Sequence, residues 1–432
     1  MIRRHIRVAV ALRSFARKPR GQVFVTVSLA LVALMGISAL AVDVGHLWTT
    51  RRLMQNAADA AAMAGADEVA IGGSKSQVKA AAQAASAQNG FTDDSRTFAS
   101  SSHVSVAVYQ PPQSGPYATS PNAVQVVVSQ TQPTYFIRVL GWQSVPVSTL
   151  AVGVTVSGGS CVYVLNPTGS GAMTVTGTST LNSTCGVYDN SDNSSALIVS
   201  GGGILQAPLV GVVGGTSING GGSSPPSTGI AAFGDPLAWV SEPTVGACTS
   251  YHMLNISTSQ TLYPGLYCGG LKLNAGANVS FMPGTYIMNG GGLVILAGAT
   301  ATGSSVTFFL TGQNTSNGSP NAYGGVQIAG GANVNLSAPC DSSSGGIEGM
   351  LFFQDRAMTK GTGSVINGGS TSYFSGALYF PTTSLSYSGS SGSNQYTLIV
   401  ADTLTVAGTA SINNNYSCLS NGSLIKNAAL AQ

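Results

Sequence analysis

Eight carboxylates fall after residue 156: Asp189, Asp192, Asp235, Glu242, Asp341, Glu348, Asp355 and Asp402. Glycosidic bonds are hydrolysed by two carboxyl groups held several ångströms apart, so polysaccharide chemistry would have to come from this set. Asp189 and Asp192 are close in sequence, but they sit in DNSDNSS, a composition that builds turns through side-chain caps. A Ca²⁺ loop is the other use of those oxygens. Asp355-Arg356, directly after Leu351-Phe352-Phe353-Gln354, is the one adjacent charge pair here, and it reads as an internal ion pair before it reads as catalytic. A Ser/His/Asp triad lacks its base, because His252 is the single His beyond residue 156. GxSxG, HExxH and phosphate-loop patterns do not occur. The reading is no catalytic residue, no cofactor and no metal site.

The thiols point to a compartment instead. Cys161, Cys185, Cys248, Cys268, Cys340 and Cys418 form an even set with no CxxC pair, which favours disulfides over zinc and therefore an oxidising environment. Proximity suggests Cys161 with Cys185 and Cys248 with Cys268, leaving Cys340 for Cys418. Other pairings stay open, since connectivity does not follow from sequence alone.

An oxidising compartment requires export, and Val23–Val44 supplies the means. VFVTVSLALVALMGISALAVDV holds no charge until Asp43, and a helix of this length spans about 30 Å of hydrocarbon. Before it stand Arg3, Arg4, Arg7, Arg13, Arg17, Lys18 and Arg20 without one acid, so the positive-inside rule keeps residues 1–22 in the cytoplasm. The first 100 residues carry 12 basic and 6 acidic side chains, the remaining 332 carry 5 and 8. The basic excess is thus a topology signal, and no nucleic-acid partner is expected. Ala39-Leu40-Ala41 also fits a signal-peptidase site, but the apolar run is longer than the usual signal core, which favours retention.

Helix formers continue without Pro from His46 to Ala70, and Gly72-Gly73 ends them. Trp48 suits the lipid–water boundary. Ala58/Ala62 and Ala61/Gly65, four apart beside Ala57, make a face small enough for close helix approach. The same face could pack on a β module of its own chain. Asp43, Ala58, Ala61, Ala62 and Gly65 are accordingly the helix-association candidates, Asp43 alternatively meeting lipid headgroups. A second helix is expected over Lys75–Gln88, stopped by Asn89-Gly90. Period-two patterns follow at Val104–Val108, Val124–Val128 and Val145–Val156, with a short helix at Tyr135–Gly141. Residues 45–156 therefore read as a helical stalk with a small α+β module.

Gly21-Gln22, the close Ala41-Val42-Asp43-Val44-Gly45, and Gln55-Asn56-Ala57-Ala58-Asp59-Ala60-Ala61 through Ala64-Gly65-Ala66 resemble the N-terminal region of TadG-like Flp pilus-assembly proteins of the bacterial tight-adherence system. The likeness covers roughly residues 20–70, and Tyr135-Phe136 with Leu140-Gly141 is similar as well. It implies a bacterial inner-membrane protein that works with other tight-adherence pilus or secretion components. Prepilins carry Gly before their cleavage site and Glu five residues later. Here Gly21 is followed at that offset by Thr26, which points to a membrane-held component and not a filament subunit.

From Ser157 helix signals cease and a repeat begins. Gly269-Gly270-Leu271-Lys272-Leu273-Asn274-Ala275-Gly276-Ala277 recurs from Gly291 and again from Gly324, the starts lying 22 and 33 apart. Pro264-Gly265-Leu266-Tyr267 recurs at Pro283, and Thr174–Thr178 at Thr405. Short alternating strands with Gly corners predict a right-handed parallel β-helix over residues 157–432. The irregular spacing, with its loop at Gly312–Tyr323, leaves an antiparallel β-sandwich as the alternative. SSPPS near Ser223 and Asn314–Asn321 read as surface insertions.

The fold class is thus α+β to mainly β, in four parts: arm 1–22, transmembrane helix 23–44, stalk and module 45–156, and β-solenoid 157–432. The expected function is non-enzymatic: pilus assembly or surface adhesion, single-pass, with the C-terminal part in the periplasm or at the cell surface. The lipid bilayer, pilus components and a surface polysaccharide are the expected partners. A carbohydrate-active β-helix enzyme and a secreted matrix protein are the alternatives.

Overall fold

The computed structural model describes residues 20–94, 103–312, 323–358, 363–367, 372–388, 396–419 and 422–431. Most of the basic arm and the Asn314–Asn321 insertion lie outside the described residues. Two compact units form, one from residues 1–155 and 428–432, the other from residues 156–427.

The first unit is built on α1 (Arg20–Ala70), 51 residues and roughly 75 Å long. Its two halves follow their composition. From Val23 to Val44 the large apolar side chains stand exposed, and this stretch is long and apolar enough to cross a membrane. From Met54 onward one face is sealed: Met54, Ala57, Ala58, Ala61 and Ala62 are fully buried. Gly72, at φ +78°, ends the helix. Ser74 and Gln77 then form a reciprocal capping box that starts α2 (Lys75–Gln88).

Both helices cover an antiparallel sheet of β1 (Val104–Tyr109), β2 (Ala123–Pro133) and β3 (Ser144–Ser157), completed beside β3 by Lys426–Leu430. β1 pairs β2 with Val106 opposite Val128, and β2 pairs β3 with Val126 opposite Ala151. Val106, Val124, Val126 and Val128 enclose the core with Val78, Ala82 and Phe91. The helix can lie this close only because facing residues are small. A Cβ on Gly153 would collide with the carbonyl oxygen of Ala62, and one on Gly65 would stand 2.9 Å from Val124 Cγ1. Between β2 and β3 the expected short helix is a single 3₁₀ turn, Ile137–Leu140.

The second unit consists of short parallel ladders. Leu254–Ile256 pairs with Leu271–Leu273, which pairs with Leu293–Ile295, which pairs with Val326–Ile328. The sequence recurrence is therefore the register: Leu271 stands opposite Leu293, and Leu293 opposite Val326. A parallel row of Ile256, Leu273, Ile295, Ile328 and Ile366 fills the interior. The ladders described in this unit are parallel, which is not the pairing of an antiparallel sandwich. Spatial order departs from chain order. Thr397–Val406 pairs with Ser160–Val164 and Met173–Thr176, so the last long strand docks on the first. Tyr286, Phe308 and Phe352 run through the core with ring centroids 5.3 and 5.6 Å apart, and Phe281 meets Tyr286 and Phe308 edge-on at 5.2 and 5.1 Å.

Candidate functional site

Asp43 sits where the apolar half of α1 ends. Its side chain is 1% exposed. The carboxylate accepts backbone N–H bonds from Tyr135 (2.9 Å), Phe136 (2.8 Å) and Ile137 (2.6 Å). The ring of His46 meets Tyr135 edge-on at 5.4 Å. These three amides head the 3₁₀ turn and have no partner within it, so one carboxylate satisfies all of them through charge-assisted bonds. The carboxylate ties the β2–β3 connection to the helix within its own chain. The partner lies 92 to 94 residues away, which is why sequence reading attached Asp43 to its nearest surroundings.

The other helix-association candidates, Ala58, Ala61, Ala62 and Gly65, are turned inward. They pack on α2 and β2 of their own module, and their smallness serves that contact.

The six Cys are joined in three disulfides: Cys161–Cys185, Cys248–Cys268 and Cys340–Cys418, with Cα atoms 5.7, 5.8 and 5.2 Å apart. All three lie in the second unit.

Six of the eight acids of that unit make bonds within it. Asp189 is 1% exposed, accepts from Ser191 N–H at 3.0 Å through one oxygen, and leaves its other oxygen unpaired. Burial pushes its carboxyl up to about 6, against the pull of backbone donors. Asp192 is exposed. Asp355 is fully buried and bonds Thr311 Oγ1 (2.6 Å) and Ala357 N–H (2.8 Å), not Arg356. Asp402 accepts from Asn166, and Asp341 caps the turn Ser342–Ser344. The Ser343 bonds hold the Asp341 carboxyl below its usual value.

Sequence reading missed the partners of Arg356. The guanidinium reaches Glu242 at 3.3 Å and Asp235 at 3.9 Å, donates to Tyr379 Oη at 2.6 Å, and bonds the carbonyls of Leu237 and Val240. It also stands 5.1 Å from the rings of both Phe353 and Tyr379. Burial, then the bond to Asp235, keeps the Tyr379 phenol well above its ordinary range. With both acids drawn to one cation, the cluster fastens residues 235–242. Among the described residues no group of three His, Cys, Asp or Glu is placed to hold a metal ion.

One outward row is regular. Thr261, Ser280, Thr302 and Asn335 stand in register on successive strands, beside Asn278, Thr300 and Asn333. A shallow groove of about 360 Å³ lies along Ser280, Thr302, Asn335 and Ser337.

Residues 21–68 match the Flp pilus-assembly TadE/G-like family, and residues 57–152 match the Tad-like Flp pilus-assembly family. The chain is TadG-like over this region. The two matches overlap within α1 and run to β3, which is the extent of the anchor-like helix and the small α+β module. A role related to Flp pilus assembly follows for the TadG-like part. No curated protein and no solved structure matches the chain.

Proposed function

We propose that this protein is a non-enzymatic, membrane-held component of tight-adherence pilus assembly, single-pass with a cytoplasmic N-terminus. Its C-terminal part is a disulfide-braced, right-handed parallel β-helix exported to the periplasm or cell surface. The observation that carries the reading is the coincidence of both family matches with a helix whose matched first half is bare, apolar and bilayer-long. Export is supported by three disulfides in the second unit. A β-helix is supported by ladders whose register equals the sequence repeat. A non-enzymatic role is supported by acids engaged in caps and ion pairs. Division of the chain at residues 22, 44 and 156 remains the proposed domain plan.

Other tight-adherence components are the proposed partners of the module, and a neutral surface polysaccharide is the proposed partner of the Thr261–Asn335 row. That row offers hydroxyls and amides without a charge, which suits an uncharged glycan. Deleting the gene and restoring it with the full chain, or with the chain lacking residues 157–427, tests the reading. Loss of surface filaments or adherence on deletion, rescued by the full chain, is expected. Undiminished filaments and adherence in the deletion strain would overturn it.

A further inference from the structure

The β2–β3 connection exposes an apolar tip that a water-soluble surface would not carry. Val139 is 86% exposed, Leu140 75% and Trp142 64%, with Tyr135 and Phe136 about half exposed. The turn closes at Gly141, φ +98°, and carries one charge, Arg138, among these apolar side chains. A patch of this kind marks a contact surface. The structure also fixes its direction. Between turn and helix opens an apolar cleft of about 620 Å³, lined on one side by Leu31, Leu34, Met35 and Val42 and on the other by Phe136 and Val139. Leu34 and Met35 lie two turns or more into the apolar run from Asp43. The tip therefore reaches alongside the lipid-length half of α1, about 12–14 Å inward from the acid that holds it.

We propose that Tyr135–Trp142 is a second membrane contact, a wedge seated in the outer leaflet beside the transmembrane helix and locked there by Asp43. The inference rests on the reading of Val23–Val44 as a membrane anchor. The occupant of this surface is lipid because the surface is continuous with the bare helix face. Tyr135 and Trp142 supply the amphipathic rings that favour the headgroup level, and Arg138 can extend its head to lipid phosphates. Asp43 solves the remaining difficulty. Backbone amides near hydrocarbon must be paired, and its carboxylate takes the three that head the turn. Two points of attachment resist tilting of the module, which a single helix does not.

The test uses the full chain with Trp48→Phe and Trp239→Phe, leaving Trp142 as the sole indole, reconstituted in phosphatidylcholine vesicles with acyl chains brominated at defined depths. Flotation after an alkaline wash reports anchoring separately. Strong loss of Trp142 fluorescence with shallow bromines is expected. Val139→Asp with Leu140→Asp should relieve that quenching while leaving circular dichroism and flotation unchanged, because both side chains are already bare. Asp43→Ala should relieve it too. Unquenched Trp142 in a chain that floats overturns the wedge and spares the anchor. A chain stripped from vesicles by the alkaline wash overturns both.

Discussion

Asp189 carries a pH signature that a single substitution removes. Its folded-state value of about 6 stands above the usual 3.8, so between those values the folded chain binds a proton that the unfolded chain has lost. Stability from this group is therefore greatest at low pH and is lost as pH rises through 6, by roughly 1–3 kcal/mol. Denaturant midpoints of the detergent-solubilised protein should fall between pH 5 and pH 7, and Asp189→Asn should flatten that difference. Arg356 makes an opposite kind of prediction. Arg356→Met strands Asp235 and Glu242 and should destabilise the second unit by about 2 kcal/mol at pH 7, read from the same midpoints. Neither role was visible residue by residue. Asp189 reads as a turn acid because its neighbours are Asn and Ser, and only the strand register buries it. Arg356 stands beside Asp355 in sequence, yet its acidic partners, Glu242 and Asp235, come from 114 and 121 positions earlier.

At the scale of elements, α1 shows what periodicity conveys and what it omits. Its extent and its change from all-round apolar to Ala-rich are written in composition. The packing partner of the Ala face is not, since small residues admit a foreign helix or a sheet of the same chain equally well. Gly153 and Gly65 decide the matter by allowing the sheet to approach. Gly153→Val should destabilise the first unit by about 1–3 kcal/mol, measured by thermal melting in detergent, because the new branches meet the α1 backbone. Gly36→Ala, in the bare half with no atom within 4 Å, should leave the melting temperature unchanged or slightly raised. The Gly-Gly-Leu repeat was legible for a different reason. Each pass of the chain solves the same corner and the same inward row, so the solution recurs in the letters, and 22 and 33 reappear as strand register.

For the molecule as a whole, the order of the ladders was beyond sequence reading. The chain starts the second unit in the middle, and its last long strand returns to pair with strands more than 230 residues earlier. Repeats report that strands stack, but not where the ends meet. Cys340–Cys418, 78 residues apart, ties a late segment to an earlier one. Cys340→Ser with Cys418→Ser should lower stability by about 2–4 kcal/mol, seen as an earlier unfolding transition under oxidising conditions. The central claim concerns topology: one helix at Val23–Val44, everything after it exported. Protease added to intact spheroplasts of cells bearing an N-terminally tagged chain tests it most directly. The account predicts that the C-terminal part is digested without lysis while the tag and the anchor survive as a membrane-bound fragment. A C-terminal part protected until lysis, with its six thiols free to alkylation, would contradict it.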